Sequence, residues 1–176
     1  VDRANYKERF MISIQTNISP GAKIGTGTSV APFVTIQSDV VIGQNFWIGP
    51  YVTIMNGARI GDNVKIFPGA VVGAVPQDLK FEGENSLLEI GDHTIVREYC
   101  TLNRGTKASM TTKIGAHCLL MAYVHVAHDC FVGNHVILAN NVNLAGHIDI
   151  GDHAILGGLT AVHQFVKIGA HVMVGG

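Results

Sequence analysis

The sequence predicts an all-β fold, a parallel β-helix of about eight triangular coils, and three observations carry that reading. Stepping by six from Ile18 meets an aliphatic residue at Ile24, Val30, Ile36, Ile42, Ile48 and onward to Val174, broken only by Asp78, Glu84 and Ala108. The fourth residue after each aliphatic is small or β-branched in most repeats, as in Ala22, Thr28, Val34, Val40 and Val52. Every third repeat opens with an aliphatic–Gly pair: Ile24-Gly25, Ile42-Gly43, Ile60-Gly61, Ile90-Gly91, Ile114-Gly115, Val132-Gly133, Ile150-Gly151 and Ile168-Gly169.

A six-residue period matches neither the ~3.6-residue stripe of a helix nor a long alternating strand. It fits short strands joined by tight turns, three to an 18-residue coil, stacked into a prism. At ~4.8 Å between neighbouring strands, eight coils make a prism roughly 38 Å long. The large aliphatics and the small residues share its interior. Cys100, Cys118 and Cys130 all fall in the small slot, which makes them packing thiols and not nucleophiles.

Taken in order, residues 1–11 are polar and charged over Val1 to Phe10, share no pattern with the chain after Met11, and are read as an extension or expression remnant. Residues 12–176 form the β-helix domain. The Gly-marked repeats are 18 apart except from Ile60 to Ile90 and from Ile90 to Ile114, where the excess is 12 and 6 residues. Those excesses are expected to loop out over about Asp78 to Glu89 and about Ala108 to Lys113, both from the same edge. The chain stops within a repeat at Val174-Gly175-Gly176, so the full protein is expected to continue.

Composition narrows the function. A formal net charge of −1 argues against electrostatic binding to nucleic acid or an anionic membrane surface. No apolar run reaches the roughly 18 to 20 residues that span a bilayer, and Leu119 to Val126 is interrupted by His125. Three Cys with no export signal point to a reducing, cytoplasmic setting.

The repeat also sorts the nine histidines. His93, His117, His135, His153 and His171 share one turn slot and read as structural or surface positions. His125, His128, His147 and His163 instead surround a single edge. Stacking by 18 puts Gly146 above His128, Gln164 above Gly146 and His147 above Asp129. An imidazole titrating near neutrality beside a carboxylate suits a general base, with Asp129 fixing its tautomer. Gly146, one strand spacing away, offers a backbone N–H to a developing oxyanion with no side chain in the way. No Ser-His-Asp or Cys-His arrangement competes, because Cys130 points inward and no reactive Ser is near in the repeat. The first loop leaves this same edge, and its Lys80 suits a phosphate and its Asp78 a sugar hydroxyl, although a plain solvated loop has the same composition. Two other readings stay open: a zinc enzyme of the γ-class carbonic anhydrase type, built on the edge histidines, and a non-catalytic repeat scaffold.

The segments Val75-Pro76-Gln77-Asp78-Leu79-Lys80-Phe81, Asn103-Arg104-Gly105-Thr106, His125-Val126-Ala127-His128-Asp129-Cys130, Leu138-Ala139-Asn140-Asn141, Leu144-Ala145-Gly146-His147 and Ala161-Val162-His163-Gln164-Phe165 together resemble the signature segments of the UDP-N-acetylglucosamine O-acyltransferase family, the first enzymes of lipid A synthesis. The resemblance runs from about Ile12 to the end. It implies a left-handed coil, an exception to the usual right-handed crossover, assembled as a homotrimer with sites between subunits. It implies transfer of a 3-hydroxyacyl chain from acyl carrier protein to the 3-position of UDP-N-acetylglucosamine, without a cofactor or metal. By the match of motifs, His128 is the general base, Asp129 supports it and the Gly146 N–H meets the oxyanion. Gln77, Asp78, Lys80, His125, His147, His163 and Gln164 bind or place the sugar nucleotide, and Gly176 marks the end of the acyl chain. Asn103 stands where many members carry His, and the resemblance places a helical domain beyond Gly176.

Overall fold

The computed structural model describes residues 12–176, and the expected extension over residues 1–11 lies outside the described residues. Among the described residues there is no helix. Twenty-four short strands, β1 (Asn17–Ile18) to β24 (Met173–Val174), form three eight-stranded parallel sheets in which every third strand of the chain belongs to the same sheet. This is a left-handed parallel β-helix.

The local chemistry explains the geometry. A typical strand is two residues long: the first points outward, and the second, an aliphatic, points into the prism. Ile36, Ile54, Val72, Leu102, Val126 and Leu144 stack inside the first sheet with no exposed surface. The small slots Val34, Val52, Ala70, Cys100, Val124 and Val142 fill one corner equally completely. Tight turns between strands put one residue into the left-handed region at most corners, and Asn45, Asn63, Asp129 and several His residues take it with φ between 53° and 63°. Asn, Asp and His tolerate that region better than bulky side chains do. The inward aliphatics are held in line by the register, which runs Asn17↔Thr35 and Ile18↔Ile36 in the first coils and His125↔Asn143 and Val126↔Leu144 at the later ones.

Both insertions leave the corner between the first and second sheets, but earlier than the sequence suggests. The first interrupts the chain between β10 (Val71–Ala74) and β11 (Leu87–Ile90), the second between β13 (Thr101–Asn103) and β14 (Thr111–Ile114). The reason is pairing. β11 and β14 extend backward along each other, Leu87↔Thr111 through Ile90↔Ile114, so the last residues of each expected loop are strand. The loops proper therefore start at Val75 and Arg104, on the two coils that precede His125 and His128.

Candidate functional site

The site is built where the first sheet turns into the second. β16 (His125–Val126) pairs with β13 on one side and with β19 (Asn143–Leu144) on the other, and β19 pairs with β22 (Ala161–Val162). Beyond each strand the chain turns, so position 128 lies beside 146, position 129 beside 147, and 147 beside 165. The His147 N–H donates to the His128 carbonyl at 3.1 Å, and the Phe165 N–H to the Gly146 carbonyl at 3.3 Å. Asp129, His147 and Phe165 hold the left-handed position of successive turns, with φ of 58°, 63° and 65°.

Asp129 is the most constrained group. It is 2% exposed, and four donors converge on its carboxylate. Its Oδ1 accepts from the Thr106 N–H at 3.0 Å and from the Ser109 hydroxyl, and its Oδ2 accepts from the Thr106 hydroxyl at 2.6 Å and from His128 Nδ1 at 2.8 Å. The Asp129 N–H donates in turn to Thr112 Oγ1 at 2.8 Å. Burial alone would raise this carboxyl's pKa, but the hydrogen bonds from Ser109, Thr106 and His128 outweigh it and bring the value down to about 2. Asp129 is therefore an anion near neutral pH, and only a protonated Nδ1 of His128 can satisfy it.

With Nδ1 carrying the proton, a neutral His128 presents a bare Nε2 on the opposite side of the ring. That ring is packed against Gly146. A Cβ on residue 146 would come within 2.5 Å of His128 Cε1 and 2.8 Å of Nε2. Glycine is thus required by the ring's seat and not by φ, which lies outside the left-handed region. Among the described residues no acceptor takes the Gly146 N–H. His147 meets His128 edge-on, centroids 5.0 Å apart at 84°, and stacks on Phe165 at 4.8 Å and 6°. Its Nδ1 is 3.9 Å from Asp129 Oδ2.

The other expected residues divide between this edge and elsewhere. His125 is half-buried with Nδ1 2.7 Å from Thr101 Oγ1, and burial lowers its pKa. Asp78 and Lys80 from the first loop line a cleft of about 190 Å³ with Thr106, Lys107 and Ala108 from the second loop and His147 from the coil. Gln77 is exposed next to them. His163 and Gln164 are exposed in the turn above Gly146, with His163 Nδ1 3.3 Å from the Gln164 carbonyl. Gly176 is not brought to this edge: it stacks over Gly158, at the corner that follows the third sheet. Asn103 is 2% exposed, donates from Nδ2 to the Val75 carbonyl at 3.3 Å, and its Oδ1 has no partner among the described residues. A larger recess of about 360 Å³, lined by Trp47, Lys65 and Phe67, lies on another face and contains no paired acid and base.

Thr106, Ser109, Thr112 and Phe165 join the site without having been expected there. Phe165 follows from the repeat, being 18 residues beyond His147. The three hydroxyls come from or beside the second loop, whose residues have no phase in the repeat. The expectation that no Ser lies near is corrected, since Ser109 reaches Asp129, but it contacts the acid and not the base. The cysteines are packing groups: burial pushes the Cys100 thiol up to about 12 and the Cys130 thiol up to about 11.

His128, Asp129 and His147 also offer three donor atoms within 4.8 Å of one another, a spacing that could hold a cation. Both Asp129 oxygens, however, are already occupied by four hydrogen bonds. A cation would have to displace the donors that keep the carboxylate in place, so the arrangement favours proton chemistry over metal chemistry.

Comparisons with known proteins agree with the fold. The bacterial transferase hexapeptide repeat family matches residues 39–74 and 111–146. A UDP-N-acetylglucosamine O-acyltransferase of Sulfurihydrogenibium sp. (strain YO3AOP1), acyl-carrier-protein-dependent by name, is 54% identical over 114 residues, covering 64% of this chain and 42% of its own. Its namesake from Chlorobaculum tepidum is 53% identical over 113 residues, covering 64% and 43%. The crystal structure of a UDP-N-acetylglucosamine acyltransferase from Bacteroides fragilis 9343 superposes with a TM-score of 0.92 at 50% identity, over 93% of this chain and 64% of that one. The chain thus spans about two-fifths of the length of the curated relatives it matches. A repeat match alone would indicate only a broad superfamily; the relatives at 53–54% identity and the solved structure at 50% identity narrow the likeness to UDP-N-acetylglucosamine O-acyltransferases.

Proposed function

We propose that this chain carries the acyl-transfer centre of an enzyme that moves a 3-hydroxyacyl group from acyl carrier protein to the sugar 3-position of UDP-N-acetylglucosamine. The observation that carries the reading is the His128–Asp129 pair at 2.8 Å, held from the far side by Ser109 and Thr106. An ionised Asp129 keeps the proton on Nδ1 and leaves Nε2 as the base. As the acceptor oxygen attacks the thioester carbonyl, Nε2 takes its proton and Asp129 stabilises the imidazolium that forms. The carbonyl oxygen becomes an oxyanion for which the unpaired Gly146 N–H is a ready donor. Collapse expels the carrier-protein thiolate, and the proton on His128 returns to that sulfur. No covalent enzyme intermediate is needed, which fits three buried cysteines with raised or inaccessible thiols.

The cleft between the two loops suits the sugar nucleotide. Lys80 offers a cation to the diphosphate, Asp78 and Gln77 offer acceptors and donors to hydroxyls, and His125, His147, His163 and Gln164 line the same edge. Gly176, a coil corner away, marks the end of the acyl chain if a neighbouring subunit completes the groove, as a homotrimer would provide. A cytoplasmic setting follows from a soluble carrier-protein donor, and no described helix is long and apolar enough to cross a membrane.

The deciding experiment is His128→Ala in the full-length protein, with transfer from acyl carrier protein to UDP-N-acetylglucosamine followed by mass spectrometry. Loss of turnover by at least about two orders of magnitude is expected. Normal turnover would falsify the assignment, and stoichiometric zinc essential for activity would favour the carbonic-anhydrase reading instead.

A further inference from the structure

A second set of imidazoles occupies a different corner from the proposed acyl-transfer centre. His93, His117, His135, His153 and His171 sit in the turn between the second and third sheets, each left-handed with φ from 56° to 60°. All five are exposed. Neighbouring rings are parallel to within 7°, with centroids 4.7 to 4.9 Å apart, so the five form one unbroken stack along the coil axis.

The backbone does not require imidazole at this place. Earlier rungs of the same column are Gly27, Asn45 and Asn63, with the same left-handed φ. The change from Asn to His therefore adds side-chain chemistry to an unchanged turn. Asp92 and Asp152 precede His93 and His153, and each ties its Oδ1 to a backbone N–H of the coil below, at 2.8 and 2.7 Å. Both carboxylates are exposed and add negative potential along the stack.

Imidazole nitrogen binds zinc-like ions at ~2.0–2.1 Å, so two such ligands on a tetrahedral ion lie roughly 3.4 Å apart. Rings stacked at 4.7 to 4.9 Å have parallel lone pairs, so to share one ion each exposed side chain must lean by less than about 1 Å and also turn its ring by roughly 55° out of the stack, a rotation that its exposure permits. We propose that the ladder binds borderline-soft divalent transition-metal cations, Ni²⁺, Cu²⁺ or Zn²⁺, each shared by two neighbouring rungs and completed by water. One rung serves one ion, so five rungs hold at most two ions at a time. Each bound ion also ties one coil to the next, since its ligands come from successive turns.

The test is isothermal titration of the untagged, chelator-treated protein with Ni²⁺. The parent is compared with the double variant His135→Asn/His153→Asn and with a variant carrying Asn at all five rungs. Asn suits the turn, as Asn45 and Asn63 show, and circular dichroism checks that each variant is folded. The double variant keeps only the His93–His117 pair and is expected to bind one ion fewer than the parent. The five-Asn variant is expected to lose two, leaving only what the His128, Asp129 and His147 cluster takes in every protein. The parent is also expected to be retained on immobilised Ni²⁺ and the five-Asn variant to be released earlier. Equal stoichiometry and affinity in all three proteins, or no binding by the parent at millimolar Ni²⁺, would overturn the proposal.

Discussion

Replacing Gly146 with Ala adds one methyl group and leaves the backbone N–H in place. The new Cβ would stand 2.5 Å from His128 Cε1, 2.8 Å from Nε2 and 3.0 Å from Nδ1. Ordinary carbon contacts lie near 3.5 to 4.0 Å, so the ring must retreat by roughly 1 Å. It has little room to do so, because Nδ1 is bonded to Asp129 at 2.8 Å and His147 abuts it edge-on. A displacement of about 1 Å at a reacting group costs on the order of 100-fold in rate, or about 2.7 kcal/mol of barrier. The expected result in the full-length enzyme is a kcat about 100-fold lower, with a much smaller change in KM for the sugar nucleotide. The backbone accepts Ala, since residue 146 does not need a left-handed φ, but the pinned ring must yield to the methyl group, so thermal unfolding should fall by the equivalent of about 1–3 kcal/mol. Since the N–H is retained, the loss would report the seat of the His128 ring and not a missing oxyanion donor. A kcat within twofold of the parent would show that the ring does not depend on that seat, and the reasoning would fail.

Three further outcomes are expected. Asp129 has a folded pKa of about 2 against an ordinary 3.8, so its charged form stabilises the fold above about pH 4 and that contribution is lost as pH falls through 2. The shift corresponds to about 2 kcal/mol, and urea unfolding of Ser109→Ala should show a smaller loss between pH 5 and pH 2 than the parent; identical curves would remove Ser109 from the account. Iodoacetamide at pH 8 should leave Cys100 and Cys130 unmodified in the folded protein and alkylate both in denaturant, because their thiols are buried and raised to about 12 and about 11; rapid native labelling would contradict that burial. Leu144→Ala, which empties a wholly buried position beneath the site, should cost about 2–5 kcal/mol of unfolding free energy, and a loss under about 1 kcal/mol would mean the coil collapses around the gap.

Much of the molecule is legible in the sequence because the repeat is a counting rule. Ile18 to Val174 set the inward positions, and an 18-residue step by itself places Gly146 beside His128 and His147 beside Asp129. The chain between repeats cannot be counted in this way. Leu87 and Thr111 look like loop residues by phase, yet they pair because two strands of unequal history can zip backward once the coil brings them together. Thr106 and Ser109 have no phase at all, and their grip on Asp129 depends on how the second loop folds back, which no periodicity encodes. Gly176 illustrates the complementary case: its column is predictable, and the column lies on another corner.

The parallel register has a consequence for how such a chain can vary. Each coil takes its alignment from the coil below, so a single residue gained or lost between His128 and Gly146 would turn every later aliphatic outward and rotate Gly146 away from the imidazole. Length changes are tolerated only where they bulge out of the winding, and in this chain both do so at the one corner that also holds His128 and Asp129. The winding is accordingly restricted to substitution, while that corner alone is free to acquire new residues. New side chains are thereby channelled to the place where the His128–Asp129 pair already stands, without disturbing the spacing between the two.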